Sequence, residues 1–293
     1  MSALRLFLRD IKPEHTLFAL PFAYAGALLA RGGVPALHTL AWITLAVLGA
    51  RTAAMAANRL IDARIDARNP RTAGRALASG QLRPATMVWA IVIGIALLTL
   101  AAWQLNPLCL SLVPLGAVAV VIYPYVKRFS WGVHFLLGAV DALAPLGGWL
   151  AVTARFELPA VVLWLAVTLW VAGFDILYAL MDYDVDVRDG IQSIPARFGT
   201  ATARRLPVVL HLIMLGLLAW LGVLIHAHPL YWAGLLAGIA LLGYEVFLIR
   251  RRASDVFSLN AAVFNANMAF SVVFLATTTA SLLAVLPPSA FMI

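Results

Sequence analysis

Two acidic stretches hold the residues best suited to chemistry: Asn58-Arg-Leu-Ile-Asp62-Ala-Arg-Ile-Asp66 and Asp175-Ile-Leu-Tyr178-Ala-Leu-Met-Asp182-Tyr-Asp184-Val-Asp186. They contain six of only thirteen acidic residues in a chain built mainly of Ala, Leu, Val and Gly. On a helix, acids four apart stack on one face about 6 Å from one another. Asn58, Asp62 and Asp66 share such a face, as do Asp175, Tyr178, Asp182 and Asp186, while Asp184 points away. A face of this kind repels itself unless a cation sits on it. Oxygen ligands without His or Cys select a hard cation, and Mg²⁺ held by one or two carboxylates usually completes its shell with water and phosphate oxygens.

The neighbouring basic residues indicate which anion such metals would hold. Asn69-Pro-Arg71-Thr-Ala-Gly-Arg75 follows the first stretch, and a short turn carries Tyr123-Pro-Tyr125-Val-Lys127-Arg128. Acids, hard metals and surplus guanidinium groups together suit a diphosphate, with metals bridging its oxygens and Arg or Lys neutralising the rest. The chemistry this allows is loss of diphosphate from a substrate whose other end lies in lipid.

The elements that must position these groups are transmembrane helices. Of 293 residues, 63% are hydrophobic and 12% charged, with mean hydropathy +0.94; soluble domains carry about 25% charged residues. Apolar segments recur at the roughly 20-residue length a spanning helix needs. Nine spans are expected, near 15–30, 36–58, 84–104, 107–126, 130–153, 158–181, 206–226, 229–249 and 259–286, forming one all-α membrane domain over 1–293 around a central apolar cavity. Pro84, Pro107, Pro159, Pro207 and Pro229 stand near five starts, where a missing N–H costs least. Lys12, Glu14 and His15 flank the first span, and no small-residue cleavage site follows it, which argues against a secretory signal.

With nine spans, eighteen of the twenty-one Lys and Arg residues fall on the N-terminal side of the membrane. They include Arg250 to Arg252. The positive-inside rule makes that side cytoplasmic, the inner or plasma membrane of a prokaryote being the expected setting, so the net charge of +8 reports orientation and lipid contact rather than nucleic acid. Both acidic stretches lie on this side and can face one another. The lone Cys109 can form no intrachain disulfide.

At these residues the chain resembles the UbiA superfamily of intramembrane aromatic prenyltransferases. The first family motif, N-x-x-x-D-x-x-x-D followed by R-T-x-x-R, matches Asn58, Asp62, Asp66, Arg71, Thr72 and Arg75; the second, D-x-x-Y-x-x-x-D-x-x-x-D, matches Asp175, Tyr178, Asp182 and Asp186. Ala76 departs from the Pro that many members carry. Within the superfamily the 4-hydroxybenzoate polyprenyltransferase branch is most similar, with the dihydroxynaphthoate branch of menaquinone synthesis as the alternative.

The resemblance implies electrophilic aromatic substitution in quinone biosynthesis, ubiquinone in the first case. Asn58, Asp62 and Asp66 on one wall and Asp182 with Asp186 on the other would hold two Mg²⁺ ions across the diphosphate of a polyprenyl donor. Arg71, Arg75, Lys127 and Arg128 would contact phosphate oxygens. Asp175 and Tyr178, with Asp182, would order the metals or the allylic cation. An aromatic acid attacks that cation, and membrane lipid surrounds the whole.

Ionisable residues inside spans are functional hypotheses by default, because burying them costs several kcal/mol. Arg51 lies on the stripe of Asn58 and is expected to bind an acidic group of the acceptor or to pair with an acid. Asp141, among Gly138, Pro145 and Gly147, is expected to pair with Arg51 or contact the phenol, where the helix can break. Glu245 is expected to snorkel or pair with Arg250 to Arg252, and Asn260, Asn265 and Asn267 to make interhelical hydrogen bonds. His226 and His228 read as loop residues. Phe22, Tyr24, Tyr123, Phe174 and Tyr178 could steady positive charge, although each is more often packing. Two other classes compete: a cation transporter, which predicts acids spread through the membrane depth, and a CDP-alcohol phosphatidyltransferase, whose pattern needs an Asp-Gly pair ahead of an Ala-Arg and further acids within one cluster, which Asp62-Ala-Arg64 echoes only in part.

Overall fold

A computed structural model describes residues 3–12, 16–251 and 255–285, and every regular element among them is helical. Glu14, His15 and Arg252 lie outside the described residues. A short amphipathic helix α1 (Ala3–Ile11) precedes α2 (Thr16–Arg31), α3 (Leu37–Asp66), α4 (Pro84–Leu105), α5 (Pro107–Val126), α6 (Val133–Asp141) and α7 (Leu143–Thr153). Then come α8 (Leu158–Ala179), a 3₁₀ turn at Leu180–Asp182, α9 (Tyr183–Asp189), α10 (Ile194–Leu224), α11 (Pro229–Arg251) and α12 (Val256–Val285).

Among the described residues eight helical segments are long and apolar enough to cross a membrane, counting α6–α7 and α8–α9 as one each. The chain is an integral membrane protein. The expected first span is the 16-residue α2, below that length, and it packs chiefly on α7 and α12.

Local sequence explains most boundaries. Pro84, Pro107, Pro159 and Pro229 sit in the first turn of their helices, and Asn106 caps α5 by accepting a hydrogen bond from the Cys109 amide. Pro207 is different. It lies buried inside α10, which begins at Ile194 and carries a non-helical Gly199 (φ 82°, ψ 164°) near its start. Positive φ costs glycine little, so the chain turns there before the long apolar stretch begins.

Small residues set the tightest helix pair, as membrane packing requires. A Cβ on Gly49 of α3 would lie 2.6 Å from the Gly94 carbonyl oxygen of α4, and the reverse substitution meets the same obstacle. The core lies along α8, α10, α11 and α12, where Trp170 contacts Phe22, Phe174 and Phe270. Phe22 is therefore packing.

Two breaks bear on the site. The expected span 130–153 divides at Ala142, directly after Asp141. The second acidic stretch is not one continuous helix: Asp175 and Tyr178 end α8, Asp182 closes the 3₁₀ turn, and Asp186 rides on α9. The expectation of successive turns on a single helix is corrected there.

Candidate active site

The site is assembled at one end of the bundle from the last turns of α3, the 67–83 loop, the α5–α6 turn and the α8–α9 break. Asp62 and Asp66 are buried although both lie at the end of an apolar helix, and each meets a cation from another segment. Lys127 Nζ lies 2.5 Å from Asp62 Oδ2, and Asn58 donates to the same oxygen at 3.1 Å. Asp62 Oδ1, also buried, accepts no hydrogen bond, with Arg128 Nη2 at 3.4 Å. Arg75 Nη1 donates to Asp66 Oδ2 at 2.7 Å.

The second acidic stretch is joined to the first through the loop. Arg71 spans both oxygens of Asp182, Nε to Oδ1 at 2.8 Å and Nη2 to Oδ2 at 2.5 Å, and Asn69 donates to Oδ1 at 2.6 Å. Arg71 also reaches Tyr178 Oη at 3.5 Å and lies over its ring, 5.4 Å from the centroid. Burial alone would lower the Arg71 pKa, but the hydrogen bonds and charge of Asp182 outweigh it and hold the guanidinium above its ordinary value. Asp186 accepts from Ser193 at 2.8 Å, and Asp184 is exposed, as its register required. Arg128 further donates to the carbonyls of Pro124 and Ile61 and borders a groove of about 970 Å³ that Arg64, Arg68 and Arg83 also line.

The deeper pair is also formed. Arg51 Nη1 meets Asp141 Oδ1 at 3.3 Å, across 90 residues of sequence, while Arg51 Nε is buried and donates to nothing. One guanidinium nitrogen is thus tied to Asp141, and the group's donor capacity exceeds the single bond it makes there.

The geometry thus pairs Asp62, Asp66 and Asp182 with Lys127, Arg128, Arg75 and Arg71 at the mouth and Arg51, earlier on α3, with Asp141, while Asp186 and Asp175 bond to Ser193 and His134 instead. Among the described residues no three His, Cys, Asp or Glu side chains converge closely enough to hold a metal by themselves. The donor set still fits Mg²⁺: it is all oxygen, includes the unbonded buried Oδ1 of Asp62, and offers one or two carboxylates per wall, the number Mg²⁺ takes when phosphate completes its shell.

Several contacts were missed. Asp10 of α1 is buried; its carboxylate accepts from the amides of Ala76 and Leu77, and its carbonyl accepts from Arg59 Nε. It ties α1 to the loop that carries Arg71 and Arg75. Glu245 neither snorkels nor pairs with Arg250 or Arg251, the described members of that run: it is buried 2.9 Å from His211 Nδ1 and accepts from Asn267 Nδ2 at 3.0 Å. Asn260 makes the interhelical bond expected of it, to Leu177 O, whereas Asn265 is exposed. His134 lies 2.7 Å from Asp175. An ionisable group in an otherwise apolar segment was the available signal for His134 and His211.

Residues 19–271 match the UbiA prenyltransferase family. The chain belongs to that family. The 4-hydroxybenzoate octaprenyltransferase of Pseudoalteromonas translucida (strain TAC 125) is 32% identical over 249 residues, 84% of each chain. The apo structure of a UbiA homolog from Aeropyrum pernix K1 superposes with a TM-score of 0.77 at 32% identity, over 90% of this chain and 96% of that one. A UbiA homolog from Archaeoglobus fulgidus, solved bound to GPP and Mg²⁺, shares the fold at a TM-score of 0.73 and 19% identity, over 94% of this chain and 99% of that one. The expectation of a UbiA-type aromatic prenyltransferase is borne out at that level.

Proposed function

We propose that this UbiA-family enzyme transfers a polyprenyl group from polyprenyl diphosphate to a ring carbon of 4-hydroxybenzoate, for ubiquinone synthesis, with its acid mouth on the cytoplasmic side of a prokaryotic inner membrane. The observation that carries the reading is the joining of both acidic motifs and four cationic side chains into one constellation, with a half-buried Arg51–Asp141 pair whose arginine lies two helical turns before Asn58 on α3.

Asn58, Asp62 and Asp66 would ligate one wall's ion and Asp182 with Asp186 the other's. Two Mg²⁺ ions held there would supply charge neutralisation for diphosphate as it leaves. With metal on the carboxylates, the cations now paired with them, Arg71, Arg75, Lys127 and Arg128, would turn their donors to the phosphate oxygens. That exchange keeps every buried charge compensated, since removing one partner from a buried pair is costly. The C–O bond of the allylic diphosphate breaks, the ring carbon ortho to the phenol attacks the allylic cation, and the ring proton passes to Asp175 or to the departing diphosphate. The Tyr178 ring, which already lies under the Arg71 guanidinium, would steady the positive charge of the allylic cation in the same way. Apolar helix walls would exclude the water that would otherwise trap the cation.

Arg51 would take the acceptor's carboxylate through guanidinium donors not committed to Asp141, with Asp141 fixing the group. The relative from Pseudoalteromonas translucida is named for 4-hydroxybenzoate, which supports that acceptor. The test is a panel of aromatic acids with one polyprenyl diphosphate, read by mass spectrometry. Prenylation of 4-hydroxybenzoate well above 1,4-dihydroxy-2-naphthoate supports the assignment, and the reverse order transfers the enzyme to the naphthoate branch.

A further inference from the structure

We infer that His134 is a positioning residue for prenyl transfer, holding the Asp175 carboxylate in one orientation through a neutral imidazole locked in a single tautomer. The inference rests on the role proposed above for Asp175.

His134 lies on α6 and is buried, with 2% of its surface exposed. Its Nδ1 is 2.7 Å from Asp175 Oδ2, and its Nε2 is 3.2 Å from the backbone nitrogen of Ile194. An amide N–H can only donate, so Nε2 must present its lone pair. The ring proton then resides on Nδ1 and is donated to Asp175. Both nitrogens are thereby committed, which leaves the ring no atom with which to exchange protons with substrate.

What it fixes is the acid. The Asp175 side chain is 24% exposed and the imidazole side chain 3%, so the ring approaches from the buried side and leaves the other carboxylate edge open. Ile194 opens α10 directly after Ser193, whose hydroxyl donates to Asp186 Oδ2 at 2.8 Å. One imidazole thus connects the end of α8 to the segment that holds Asp186, across the 3₁₀ break where a continuous helix would otherwise have set their spacing. A misplacement of about 1 Å at a reacting centre can cost roughly 100-fold in rate, and the carboxylate of an interrupted helix depends on such a tie.

Glutamine can reproduce both contacts, its amide NH₂ donating to Asp175 and its carbonyl accepting from Ile194; phenylalanine can make neither, and asparagine is too short to span them. We expect His134→Phe to lose about 10- to 100-fold in kcat per folded molecule, with KM for donor and acceptor within about threefold, and His134→Gln to return to within about fivefold of wild type. In an Asp175→Asn background His134→Phe should add almost no further loss. If His134→Phe does not fold, the comparison of His134→Gln with His134→Asn decides: Gln active and Asn impaired supports the inference. Equal activity of both overturns it, as do an unchanged kcat in His134→Phe and an undiminished extra loss in the double variant. Absence of transfer by the wild type would instead strike the proposed function.

Discussion

Arg71 grips both carboxylate oxygens of Asp182, at 2.8 and 2.5 Å, across 111 residues of sequence. This fork joins the loop after the first acidic motif to the turn that interrupts the second. Only a planar guanidinium can do so, and the same fork matches a phosphate.

Arg71→Ala is therefore expected to lower turnover by roughly 100-fold, the usual cost of one preorganised donor to developing negative charge. Arg71→Lys should recover only part of it, because lysine is a point charge without the fork. Steady-state kinetics against polyprenyl diphosphate measure both. Equal activity of Lys and Arg at this position would remove the fork from the mechanism.

Arg51 should act on the acceptor alone. Arg51→Met is expected to raise KM for 4-hydroxybenzoate by about tenfold or more, as loss of a charge-assisted bond implies, and to leave KM for the polyprenyl donor near its wild-type value. Asp141→Asn should follow the same pattern more weakly. A donor defect equal to the acceptor defect in Arg51→Met would contradict this division of the site.

The buried His211–Glu245 pair makes a stability prediction independent of catalysis. His211→Leu strands Glu245 inside the bundle and should destabilise the protein by about 3 kcal/mol, and His211→Leu with Glu245→Met should recover much of that loss. Thermal unfolding in detergent reads both midpoints. A double variant no more stable than the single one would show that the carboxylate had no need of its partner.

Much of the site was legible in the sequence because charge is scarce in an apolar chain. Asn58, Asp62 and Asp66 fall on one face of α3 as their four-residue spacing requires, and loop parity brought them opposite Asp182 and Asp186. Arg51 and Asp141 were identifiable because ionisable groups inside spans need partners. The same rule applies to His134, His211 and Glu245, yet a histidine in an apolar run has no periodic signature that names its partner. The 3₁₀ break at Leu180–Asp182 was hidden for another reason. Nothing in Ala-Leu-Met-Asp forbids continued α-helix, and the interruption accompanies contacts made by Asn69 and Arg71 from a distant loop. Asp10 carries a charge on the short amphipathic helix α1, where solvent exposure is the ordinary expectation, and only the fold places the amides of Ala76 and Leu77 against it.

The most direct measurement is product formation by the purified protein in lipid, with polyprenyl diphosphate, 4-hydroxybenzoate and Mg²⁺, followed by mass spectrometry in the wild type, Asp62→Ala and Asp182→Ala. We expect a ring-prenylated acid from the wild type, none after EDTA, and restoration on adding excess Mg²⁺, with each variant reduced by at least about 100-fold. Full turnover in both variants, or turnover indifferent to EDTA, would contradict a diphosphate held by metals between two acid walls.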